Sequence, residues 1–111
     1  MMPVYHKLVR DKIPSMIERT GKAYTTSTLK IDEYKTELLK KANEEWEEYL
    51  EANTNQEAVE ELADLLEVIH ALAIMNGATP EQLEQVRKKK AEQRGGFNNR
   101  VFLVEVEDDE G

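Results

Sequence analysis

Apolar positions recur at helical spacing along most of this chain, and the polar residues between them carry the usual helix start and stop signals. Over residues 12–20, Ile13 and Ile17 lie four apart, Pro14 stands in the first turn and Gly21 follows the end, which predicts a short helix. From Asp32, an N-cap residue type, a long helix is expected to about Ala52. At about 100° per residue, Leu38, Leu39, Ala42, Trp46, Tyr49 and Leu50 fall on one arc of it. Thr54 and Glu57 have capping-box spacing and open a helix to Asn76, closed by Gly77. Thr79, Pro80 and Gln82 supply cap, first-turn proline and box partner for a last helix to about Gln93, which stops at Gly95-Gly96. Residues 23–31, rich in Thr with Tyr24, Leu29 and Ile31, and residues 100–106 are β-prone, and 108–111 read as a frayed acidic tail. The expectation is an all-α fold, an antiparallel helical bundle with minor β in the N-terminal third and at the C-terminus. Residues 1–111 form a single domain without repeat or linker.

Composition narrows the function classes. The chain is 40% hydrophobic and 34% charged, a globular balance. It has no Cys, which excludes disulfides, thiol catalysis and Cys-based zinc sites. Residues 1–10 lack the apolar core of a signal peptide and no apolar run approaches ~18 residues, so a cytoplasmic protein without a membrane partner is expected. A net charge of −8 argues against nucleic acid as a partner. The cations are segregated: nine lie between Lys7 and Lys41, six between Arg87 and Arg100, and none from Ala42 through Val86. That gap holds ten carboxylates between Glu44 and Glu67. Acidic helix faces are ordinarily just solvated, but an acidic centre with basic flanks also suits a metal and a polyanion.

Four of these acids face the wrong way for solvation. On the helix around Trp46, Glu47 points away from the apolar arc, whereas Glu45 falls beside Leu38 and Tyr49, with Glu48 and Glu44 on the same flank. The next helix is apolar around most of its circumference through Val59, Leu62, Leu65, Leu66, Val68, Ile69 and Leu72. Glu61 lies between Val68 and Leu72, and Asp64 at the border of that arc. A short connection makes the two helices antiparallel neighbours. Glu45 and Glu48 then face Glu61 and Asp64, with no Lys or Arg on either helix beyond Lys41. Buried carboxylates need a partner or a metal. All-oxygen ligands select Mg²⁺ or Mn²⁺ rather than zinc.

Glu44-Glu45-Trp46-Glu47-Glu48 followed by Glu61-Leu62-Ala63-Asp64 has the form E-E-x-x-E, spacer, E-x-x-D. On these residues the chain resembles the MazG-like all-α nucleotide pyrophosphohydrolase superfamily. Lys7-Leu8-Val9-Arg10-Asp11-Lys12-Ile13-Pro14, Glu61 through Val68, and Arg94-Gly95-Gly96-Phe97 look like one branch of it, the house-cleaning pyrophosphatases related to phosphoribosyl-ATP pyrophosphohydrolase. The likeness spans about residues 5–103. It implies a MazG-like bundle, a homodimer or higher homo-oligomer, and Mg²⁺-dependent cleavage of a nucleoside triphosphate, a noncanonical one for this branch, between the α and β phosphates. It also implies Glu45, Glu48, Glu61 and Asp64 as metal ligands, with Glu44 filling the remaining motif position. Trp46 departs from the small or aliphatic residues common there; it packs in the core or reaches a base.

Phosphoanhydride hydrolysis needs charge neutralisation, in-line positioning and an activated water. Either Glu44 or Glu48 fits as the catalytic base. Lys7, Arg10 and Lys12 form one candidate cluster of substrate-binding cations, and Lys90, Arg94 and Arg100 another, with a Gly-Gly pair beside Arg94 that permits close backbone approach to a ligand. His6 and His70 are isolated and build no triad. Two other functions remain open: phosphoribosyl-ATP hydrolysis in histidine biosynthesis, and a non-catalytic helical self-association module.

Overall fold

A computed structural model describes residues 2–108 of the chain, so the expected acidic tail lies, from 109 on, outside the described residues. Four helices follow in order: α1 Ile13–Arg19, α2 Ile31–Glu51, α3 Asn55–Met75 and α4 Pro80–Arg94.

The local signals act largely as their chemistry dictates. Thr54 Oγ1 accepts the Glu57 amide at 3.1 Å, and the Glu57 carboxylate accepts the Asn53 amide at 3.0 Å, one residue earlier than a strict capping box. The box at α4 is complete: Thr79 Oγ1 accepts from the Gln82 amide at 3.1 Å and Gln82 Oε1 from the Thr79 amide at 2.8 Å. At the end of α3, Gly77 has φ of +86°, its amide donates to Ile74 O, and the Ala78 amide donates back to Ala73 O. Those paired bonds satisfy carbonyls that the helix leaves free. Asp32 is not the N-cap of α2. The extended cap residue is Lys30, whose amide donates to Glu33 Oε1 at 3.2 Å, and Asp32 sits inside the first turn, where its charge favours the helix dipole.

The expected β segments do not form. Among the described residues, 23–30 and 101–108 carry no strand. A strand needs a partner to accept its backbone bonds, and among the described residues these segments have none; β-prone composition alone supplies no ladder.

α2 and α3 make the main helix contact, joined by residues 52–54, and among the described helices α4 packs on α3. Glu45 lies six residues before the end of α2 and Glu61 six after the start of α3, and the two meet. That register requires an antiparallel hairpin, as expected. Its interior is thin: Leu38 and Val68 are the hydrophobic residues buried among those described. Leu39, Trp46, Leu50, Val59, Leu62 and Leu66 stay exposed. Trp46 stacks on Tyr49 with ring centroids 5.3 Å apart, and at 47% exposure it does not enter a core. The radius of gyration is 19.3 Å, against about 13 Å for a compact chain of this length. No described helix is long and apolar enough to cross a membrane.

Candidate metal centre

The α2–α3 hairpin sets the site. Glu45 comes from α2; Glu61 and Asp64 come from successive turns of α3, three residues apart and so on one face. One carboxylate oxygen from each of these three lies within 4.8 Å of the others. Glu45 is only 6% exposed. Its Oε2 and that of Glu61 are shut off from solvent without a hydrogen-bond partner. An unpartnered buried carboxylate oxygen is costly, and here two belong to residues of one acidic cluster.

Glu48 stands outside the triad and remains exposed, with its carboxylate near enough to Glu45 and Glu61 to act on both. Glu61 is pushed up to about 7, first by hydrogen-bond contact with Glu48, then by burial and by the charges of Glu48, Asp64 and Glu45. Glu45 is also raised, chiefly by burial, then by contact with Glu48 and its charge; Lys41 opposes the shift. The group therefore holds a proton more tightly than separate carboxylates would. A divalent cation would replace that proton and relieve the same repulsion.

α2 and α3 carry no Lys or Arg beyond Lys41, and the N-terminal flank brings two further cations to the acids. Arg10 Nη2 lies 2.6 Å from Asp64 Oδ1, and Lys7 Nζ lies 2.6 Å from Glu44 Oε1. Lys41, from α2 itself, lies 3.5 Å from Glu45 Oε1 and 4.0 Å from Glu44 Oε2. The N-terminal segment crosses 54 and 37 residues of sequence to make the first two pairs, a return that helical periodicity does not encode. Lys41 is legible in the sequence: it precedes Glu44 and Glu45 by three and four residues, the spacing of helix-surface pairs.

The candidate residues thus divide. Glu45, Glu61 and Asp64 converge, Glu48 borders them, and Lys7 and Arg10 reach the acidic face. Glu44 is engaged by Lys7, whose hydrogen bond holds its carboxyl below the usual range. Lys12 is the exposed residue before α1, and Lys90 and Arg94 are exposed on α4; none of the three pairs with the acids among the described residues. Arg94 instead lines an open hollow with residues 95–101, and its helix neighbour Arg87 is held by Glu84 at 2.6 and 2.8 Å.

Because Glu61 binds its proton more tightly in the folded chain than when unfolded, it lowers stability progressively as pH rises from about 4.5 through about 7. In chelator, wild type should lose thermal stability over that window relative to Glu61→Gln, which carries no such charge. Parallel melting curves for the two proteins between about pH 5 and pH 8 would contradict this.

No family model, no curated protein and no solved structure matches the chain.

Proposed function

We propose that this protein is a Mg²⁺- or Mn²⁺-dependent nucleotide pyrophosphohydrolase with a MazG-like bundle, acting on a nucleoside triphosphate, in keeping with the house-cleaning branch it resembles. The observation that carries the reading is the convergence of Glu45, Glu61 and Asp64, with two buried oxygens unpartnered and two flank cations beside them. Their all-oxygen chemistry fits a hard divalent ion. Glu45, Glu61 and Asp64 would hold it, with Glu48 as the adjoining carboxylate. When bound, such an ion offsets phosphate charge and acidifies a bound water.

The chain's own residues supply the rest. Glu48 is exposed beside the triad, which supports it as the base that takes the proton of an attacking water. Glu44, charged and paired to Lys7, serves better to position that lysine than to take a proton. Lys7 and Arg10 offer donors to phosphate oxygens, Arg10 through a planar fork. Water oxygen bonds to phosphorus as the α–β anhydride bond breaks, yielding monophosphate and pyrophosphate.

The exposed apolar residues of α2 and α3 support a homodimer. Leu50 is 63% exposed and Val59 64%, and a second hairpin of the same kind would cover them by forming a four-helix bundle.

Purified protein should release pyrophosphate rather than orthophosphate from a nucleoside triphosphate, and only with Mg²⁺ or Mn²⁺. Glu45→Gln or Glu61→Gln should reduce turnover by roughly 100-fold. Orthophosphate as the first product, full activity in chelator, or normal turnover in both variants would refute the assignment. A panel that includes phosphoribosyl-ATP separates the house-cleaning reading from histidine biosynthesis. Light scattering at micromolar concentration should give at least a dimer; a fully active monomer would contradict the shared bundle.

A further inference from the structure

Lys7 and Arg10 lie in a stretch with no regular secondary structure, where Val4 is 75% and Tyr5 77% exposed. The segment has little apolar anchorage: Leu8 alone among residues 2–10 is half-buried. Its side-chain bonds to the helical hairpin are the two ion pairs, Lys7 with Glu44 and Arg10 with Asp64. Arg10 therefore rests on a member of the very triad whose Glu45 oxygen is buried and unpartnered.

We propose that Arg10 is a placeholder cation, opposing a divalent ion at the triad when that ion arrives alone and favouring it when the ion arrives with a polyphosphate. The inference rests on the metal-site reading above and adds a regulatory coupling to it. A guanidinium bonded to Asp64 competes with a metal for the same carboxylate. If it stays in place, two like charges face each other across a few ångströms; if it leaves, the ion pair is lost. Either way metal binding is weakened. A polyphosphate reverses the balance, because its oxygens give the guanidinium a new partner at the moment Asp64 turns to the metal. Metal and polyphosphate then each strengthen binding of the other, and linkage makes the effect reciprocal. Lys7 acts in the same direction but more weakly, since its partner Glu44 lies outside the triad.

The removal of one residue should thus move two affinities in opposite directions. Isothermal titration of the full chain with Mn²⁺ alone should show Arg10→Ala binding roughly 5-fold tighter than wild type, the scale of one unit charge at short range near water. Titration with inorganic pyrophosphate at saturating Mn²⁺ should show the same variant binding roughly 10-fold weaker. Arg10→Lys, which keeps the charge, should move both constants back toward wild type. The pair is exposed on both sides, at 57% and 43%, so the variants should fold, which circular dichroism verifies. Unchanged or weaker Mn²⁺ binding in Arg10→Ala would overturn the placeholder role while leaving the metal site standing. No Mn²⁺ binding by wild type would overturn both, and an unchanged pyrophosphate affinity would reduce Arg10 to a surface ion pair.

Discussion

Mutual repulsion among Glu45, Glu61, Asp64 and Glu48 is the constraint around which the rest of this molecule is arranged. Two antiparallel helices bring these carboxylates together, and burial strengthens their effect on one another. The result is a Glu61 that retains its proton to about 7 and a Glu45 oxygen without a partner. Such an arrangement costs stability, so the remainder of the fold must support it. Lys7, Arg10 and Lys41 offset part of the charge from outside, each on a different carboxylate or pair of carboxylates.

The support itself is thin. Well-formed caps at Thr54 and Thr79 and the glycine closure at Gly77 fix helix ends and therefore helix register. Register is what puts Glu45 opposite Glu61. Packing contributes less than these local devices: Leu38 and Val68 are buried, while Leu50, Val59 and Leu66 are not. A hairpin that holds like charges together with so small a core gains from the proposed second copy. Covering α2 and α3 would also deepen the burial of the triad and increase its demand for a cation.

Helical periodicity makes the hairpin and the inward acids legible in the sequence, because 3.6-residue spacing determines which side of a helix a residue occupies. Glu45, Glu61 and Asp64 are recognisable in that way. Local chemistry also places α3 and α4 to within a residue or two. Three features are not legible, for identifiable reasons. Charge segregation points Lys7 and Arg10 toward the acids, but which carboxylate each one meets depends on the path of a segment without regular structure, and no periodicity encodes such a path. The β-prone stretches lack a neighbouring strand, which composition cannot supply. Trp46 lies on the apolar arc of α2, but an arc shows which side is apolar and not whether anything covers it.

Diffraction at the manganese absorption edge, from crystals soaked in Mn²⁺, tests the central claim most directly. The account predicts an anomalous peak within bonding distance of carboxylate oxygens from Glu45, Glu61 and Asp64, absent from crystals of Glu45→Gln. A fully occupied Mn²⁺ site elsewhere, with the triad empty and Arg10 still bonded to Asp64, would contradict it.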